Sequence, residues 1–174
     1  MYRLIVCIFT ILSINIFGQD QIAKNILDKL NQTSNSYNNI SITFELTIEN
    51  KSQNIYITQI GSLILSGKKF RITIENQTII NNGETQWIFL PEINEVQILN
   101  NDPNNMMNPS KIFNLYKEDY KYSYVGTESK KNKQLEIINL FPKESQELMK
   151  VNLAIDGEKN EIHQIIIYDK NGGT

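Results

Sequence analysis

The chain has one cysteine and one histidine among its 174 residues. Cys7 falls inside the opening apolar run, so the rest of the chain has no thiol for a disulfide, a thiolate zinc site or a cysteine nucleophile. His163 has no Cys, Asp or Ser patterned beside it to activate it, which argues against both a catalytic role and a metal site. No glycine loop suited to phosphate is present, and the scattered carboxylates Glu45, Glu49 and Asp119 have only the spacing of a solvated face. Charge of one sign is also lacking, with 17 Lys and Arg against 19 Asp and Glu. There is no basic stripe for nucleic acid, and Lys130-Lys131-Asn132-Lys133 reads as a solvated hairpin tip. The longest apolar run, Leu4 to Phe17, is shorter than the roughly 20 residues that span a bilayer. These absences leave a fold that rests on its core alone, with no metal and no cofactor expected.

What is present begins with a three-part leader. Met1-Tyr2-Arg3 is a short basic start, Leu4 to Phe17 is apolar, and Gly18 is a small residue placed for cleavage before Gln19-Asp20. Residues 1–18 therefore read as a secretory signal peptide. Because Cys7 precedes that point rather than following it, the expected product is soluble and not lipid-anchored. Residues 19–174 suffice for one domain and are too few for two ordinary ones. Only Arg3 leaves with the leader, so sixteen basic residues face nineteen acidic ones, a net charge of −3.

Beyond the leader the dominant signal is a period of two. Gln21 to Ser34 first reads as a helix with Asp20 as N-cap, because Ile22, Ile26 and Leu30 recur at four-residue spacing. Ile40, Ile42, Phe44, Leu46 and Ile48 then alternate with polar residues, one dry face against one wet. Further strands are expected over Asn54 to Leu65 (with Gly61 marking a bend or bulge), Lys69 to Glu75, Thr78 to Ile80, Gln86 to Leu90 and Glu95 to Leu99. Ser66-Gly67-Lys68 and Asn81-Asn82-Gly83 are turn signals. A polar loop with Met106 and Met107 interrupts the meander. Asn108-Pro109 opens a short helix carrying Ile112, Phe113, Leu115 and Tyr116. Strands resume with Tyr120, Tyr122 and Tyr124, then Leu135 to Leu140, Lys150 to Ile155 and Ile162 to Tyr168. Lys170-Asn171-Gly172-Gly173 is a turn with no returning strand, which leaves an apolar edge. One or more C-terminal strands are expected to be lacking.

The order of these pieces carries a resemblance. Gly61-Ser62-Leu63 runs into Lys69-Phe70-Arg71, and Asn82-Gly83-Glu84-Thr85-Gln86-Trp87-Ile88-Phe89-Leu90-Pro91 follows. Asn108-Pro109-Ser110-Lys111-Ile112-Phe113 and Asp169-Lys170-Asn171-Gly172-Gly173-Thr174 complete the series. Over nearly the whole chain after the leader, this resembles the LolA family of periplasmic outer-membrane lipoprotein carriers. The resemblance implies an α+β, mainly β fold, a strongly curved antiparallel sheet forming an incomplete barrel, with helices covering the concave face. It implies a non-enzymatic, monomeric carrier in the periplasm. Such a carrier takes acylated lipoproteins from an inner-membrane lipoprotein-releasing ABC transporter and passes them to an outer-membrane acceptor. The family often has an arginine and a proline in the turn after its second long strand, where the arginine latches the lid. Here that turn reads Ser66-Gly67-Lys68-Lys69, so the latch is absent or taken over by Lys68, Lys69 or Arg71.

Apolar side chains are then the expected site. Ile26, Leu30, Phe44, Leu46, Ile72, Trp87 and Phe89 are expected to line the cavity, and Met107, Ile112, Phe113 and Tyr116 to belong to the lid. Ordinary core packing explains the aromatic residues equally well, and it explains the tyrosine ladder better than binding does. Two rival readings remain: a lipoprotein- or lipid-sensing regulatory domain on the same scaffold, and a hydrolase with a dispersed site.

Overall fold

The computed structural model describes residues 17–102, 108–144 and 148–174. Helix α1 (Phe17–Ser36) is longer than its apolar spacing predicts, and Asp20 lies within it rather than capping it. Ala23, Leu27 and Leu30 form its buried stripe, whereas Ile22 stays exposed. At its far end Ser34 Oγ donates to the carbonyls of Leu30 and Asn31, and Ser36 Oγ to that of Thr33. Such local side-chain bonds compete with the helical ladder, and the chain leaves the helix there.

Six antiparallel strands follow in a meander: β1 (Ile40–Asn50), β2 (Ile55–Ser66), β3 (Lys69–Ile74), β4 (Gln77–Asn81), β5 (Thr85–Leu90) and β6 (Glu95–Asn100). Their order in the sheet is their order in sequence. The turns use the expected chemistry: Asn82 Oδ1 accepts from the N–H groups of Glu84 and Thr85. Gly61 is not a bulge, because the pairing of β1 with β2 is continuous from Ile40↔Leu65 to Asn50↔Ile55. Its role is space. A Cβ built on Gly61 would lie 2.5 Å from Phe44 Cζ and 2.7 Å from Ile74 Cγ2, so the bare backbone makes room for the Phe44 ring.

The predicted helix after Asn108 is broken into smaller pieces. Asn108 Oδ1 caps a turn, accepting from Ser110 N at 3.1 Å and from Ser110 Oγ at 2.7 Å. A 3-10 turn over Ile112–Asn114 and a single α-helical turn, α2 (Leu115–Glu118), come next. Helices this short gain little from their own hydrogen bonds, and packing on a neighbour holds them in place. Pro109 is therefore in a capped turn and is not the first residue of the helix.

A second antiparallel sheet completes the chain, with β7 (Tyr120–Lys130), β8 (Lys133–Pro142), β9 (Leu148–Asp156) and β10 (Glu161–Asp169) in the order β10-β9-β8-β7. The main core lies between this sheet and the helices. Ala23, Leu27, Leu30, Leu115 and Tyr116 pack on Tyr120, Ile138, Leu140, Val151, Leu153 and Ile155. Each fully buried Leu or Ile contributes about 1.5–3 kcal/mol. The tyrosine ladder is part of this packing, with Tyr116 and Tyr122 meeting edge to face at 6.2 Å. The pairing skips His163 as a bulge residue between Ile162 and Gln164, and its side chain is exposed.

The two sheets meet through one bridge, Asn50↔Gly173, so no closed barrel forms among the described residues. The fold is mainly β, an incomplete antiparallel barrel with helices on its inner face, as the family resemblance implies.

Candidate functional site: an apolar trough beside a helical cover

Directly opposed residues in an antiparallel sheet share a face, so the registers identify what each face carries. Ile42 pairs with Leu63, Leu63 with Ile72, Ile72 with Ile79, Ile79 with Ile88, and Ile88 with Gln97. That is an unbroken row of five aliphatic side chains running across β1 to β5. Phe44 and Leu46 stand on the same face of β1, as do Ile48 and its partner Ile57. This face is continuous with the helix side of the second sheet: Asn50 pairs with Gly173, and Asp169 follows the inward-facing Ile165 and Ile167 on β10.

The inner face is only partly covered. Helix α1 packs on β7 and β10, and α2 packs on β7, both over the second sheet. On the six-stranded side, Ile42 is 45% exposed, Ile48 46% and Ile57 48%, while Phe44, Leu46, Leu63, Ile72, Ile79 and Ile88 are half-buried. The result is an open apolar trough beside a helix-packed half. A separate concavity of about 540 Å³ at the β7–β8 hairpin tip has only Ser129, Lys131, Asn132, Lys133 and Gln134 around it, which suits water.

Most of the expected site residues separate into two groups. Phe44, Leu46 and Ile72 share the trough. Leu30 is 2% exposed in the helix-packed core, with Ile26, Phe113 and Tyr116 around it, and Ile112 is half-buried in the 3-10 turn. Met107 lies outside the described residues. Trp87 and Phe89 require a correction. Trp87 pairs with Ile80 and Ile98, and Phe89 with Thr78 and Val96, which puts both on the outer face. β5 carries apolar residues on both faces, so alternation alone cannot set its phase, and the pairing of Ile79 with Ile88 sets it the other way. Of the aliphatic row, sequence spacing singles out Ile72 and misses Ile42, Leu63, Ile79 and Ile88. Their alternation is visible, but their alignment into one row depends on register.

Polar contacts tie the cover together. Tyr116 OH donates to Asp28 Oδ1 at 2.7 Å, and Lys24 Nζ donates to Asp28 Oδ2 at 2.6 Å. Asn31, 8% exposed, donates through Nδ2 to Phe113 O and Asn114 Oδ1, both at 3.0 Å, and accepts from Lys117 Nζ at 3.1 Å. The hydrogen bonds from Lys24 and Tyr116 hold the Asp28 carboxyl below its ordinary range, and burial together with Asp28 pushes the Tyr116 phenol up. This clasp joins α1 to the α2 segment and uses none of Lys68, Lys69 or Arg71. Arg71 pairs with Ile64 and Ile80 on the outer face, away from both helices.

Among the described residues no group of three or more His, Cys, Asp or Glu could hold a metal, and no helix is long and apolar enough to cross a membrane. The geometry defines a class: an incomplete antiparallel barrel with an apolar inner face, partly covered by clasped helices. The chain belongs to the family of the outer membrane lipoprotein carrier protein LolA, whose sequence profile matches residues 15–169. No curated protein matches it. Among solved structures, an uncharacterised conserved protein from Thermus thermophilus is 13% identical with a TM-score of 0.55, the match covering 87% of this chain and 80% of that one. A DUF1329 family protein from Desulfovibrio piger is 12% identical with a TM-score of 0.52, covering 88% and 75%. At these identities the likeness is one of fold.

Proposed function

We propose that the protein is a periplasmic carrier that holds the acyl chains of lipoproteins in the inner-face trough. In this reading it receives them from a lipoprotein-releasing ABC transporter of the inner membrane and passes them to an outer-membrane acceptor. It works as a soluble monomer after removal of its leader, and no residue has a chemical role. The observation that supports this most is the row Ile42, Leu63, Ile72, Ile79 and Ile88, apolar and incompletely covered on the face that adjoins the helices. Each acyl methylene left in water costs about 0.8 kcal/mol, so lipoprotein chains need an apolar host in transit.

Adjacent residues on opposite faces supply the test. Ile72 faces the trough, and Thr73, paired with Ser62 and Thr78, faces out. The mature protein incubated with a triacylated lipoprotein in detergent is expected to give a stable one-to-one complex by native mass spectrometry. Ile72→Asp should reduce complex formation at least about tenfold, from the cost of a charge in an apolar site. Thr73→Asp should leave it unchanged. Equal loss in both variants, or no complex with folded wild type, would rule the reading out.

A further inference from the structure

The outer face of the six-stranded sheet is more apolar than a face turned only to water needs to be. Ile64 pairs with Arg71, Arg71 with Ile80, Ile80 with Trp87, and Trp87 with Ile98, so these residues cross the face from β2 to β6 in one row. Phe89 and Val96 form a second opposed pair beside it. Ile98 is 67% exposed, Val96 53% and Ile64 51%, and Ile80 and Phe89 are exposed as well. The helices pack elsewhere, α1 on β7 and β10 and α2 on β7. Single exposed apolar residues are ordinary on a protein surface, whereas a contiguous patch marks an interaction site.

The charge on this patch has one sign. Lys69 and Arg71 turn outward from β3, and none of the outward-facing residues of β3 to β6 is acidic. Neither cation has an ion-pair partner among the described residues. The carboxylates of the same face, Glu45 and Glu49, stand apart on β1, opposite Ile60 and Tyr56. Arg71 lies between Ile64 and Ile80, so its aliphatic stem has apolar neighbours while its guanidinium is free to take two oxygens of a phosphate. Trp87, with an apolar ring and one N–H, suits the boundary between hydrocarbon and headgroups.

Shape decides what kind of partner fits. The outside of an incomplete barrel is convex and gives a soluble ligand no enclosure, but it suits a soft surface into which side chains can press. We propose that the outer face of β2 to β6 docks on an anionic lipid bilayer. Trp87, Ile98, Phe89 and Val96 enter at headgroup depth, and Lys69 and Arg71 pair with lipid phosphates. This contact uses no residue of the trough and is independent of what the trough holds.

Trp87 is the one tryptophan of the chain, so its emission reports the contact directly. With vesicles of phosphatidylethanolamine and phosphatidylglycerol at low salt, the mature protein should co-float, its emission should shift to the blue, and acyl chains brominated near the headgroup should quench it. Vesicles of phosphatidylcholine alone should bind at least about tenfold more weakly, and added salt should release the protein. Each basic residue at such a surface contributes roughly fivefold in affinity, so Arg71→Glu should weaken binding at least about tenfold. Ile98→Asp should do the same, while Gln97→Asp, one residue along β6 and on the inner face, should leave binding within about twofold. All three positions are exposed, and unchanged thermal melts report that the variants are folded. No flotation, full binding by Arg71→Glu, equal loss from Ile98→Asp and Gln97→Asp, or burial of Trp87 that grows with protein concentration in the absence of vesicles (a second copy on the face) would each overturn the proposal. Vesicle binding without a lipoprotein complex would strike the carrier reading and leave this one standing.

Discussion

Gly61→Ala isolates how the trough is shaped. Gly61 has no strained backbone torsion, so alanine fits the strand conformation and should gain roughly 0.5–1 kcal/mol by reducing the freedom of the unfolded chain. Against that, the new methyl would lie 2.5 Å from Phe44 Cζ, 2.7 Å from Phe44 Cε2 and 2.7 Å from Ile74 Cγ2, well inside contact distance. Overpacking of this kind costs about 1–3 kcal/mol. The net expectation is a loss of about 1–2 kcal/mol, or roughly 3–6 °C in the melting temperature of a domain this size. The ring is the part able to move, because Phe44 is only half-buried and the space beside it is the trough. Gly61→Ala should therefore also weaken acyl-chain uptake by tilting the ring into it. A double-mutant cycle with Phe44→Ala checks the cause. With the ring gone only the Ile74 contact remains, so Gly61→Ala should cost at least about 0.5 kcal/mol less than in wild type. Thermal melts of the four proteins suffice. A stabilising Gly61→Ala, or the same cost in both backgrounds, would refute the argument.

Acid should loosen the helical cover through Asp28. Its folded pKa is lowered, so the stability it lends is complete above the ordinary carboxylate range and is lost as pH falls through the folded value. Tyr116→Phe should remove about 1 kcal/mol near neutral pH and flatten that acid-side decline, read by chemical denaturation across pH 2–6. Asn81→Ala should cost about 1–3 kcal/mol by denaturation, since the 2%-exposed amide donates to Asn101 Oδ1 and accepts from Gly83 N. In native-state hydrogen exchange, β8 and β9 should be the slowest strands and β6 among the fastest, because Ile138, Leu140, Leu153 and Ile155 are buried whereas every residue of β6 is exposed.

The strands are legible in the sequence because local alternation and turn chemistry act over a few residues. β1 appears almost to the residue, since each apolar position from Ile40 to Ile48 is followed by a polar one. What sequence cannot carry is anything that depends on which distant surfaces meet. Leu30 reads from its spacing as part of an apolar helical stripe, expected to line the cavity, and so it would wherever α1 packed. Only the assembled fold puts it against β7–β10 as core. Trp87 is misplaced for a related reason: a strand apolar on both faces has no intrinsic inside, and its phase comes from a partner strand. Gly61 gives a signal with two meanings, because an interior glycine fits a bulge and a ring contact equally well until the opposed residue is known.

Under the proposed carrier function, the unequal packing of the two halves bears on how a load would be released. The helix-packed half has its core already filled, so a ligand there would have to displace Leu27, Leu30 and Tyr116 from neighbours they already bury. Among the described residues the trough has no such competitor. Its five-residue aliphatic row is incompletely buried, and each of those side chains has part of about 1.5–3 kcal/mol still to gain from a dry partner. An acyl chain would supply that partner without breaking existing core contacts, so binding there trades water for hydrocarbon on both surfaces. Because the trough is open, the same exchange is reversible at its mouth. Affinity then scales with how much of the acyl chain the open wall covers.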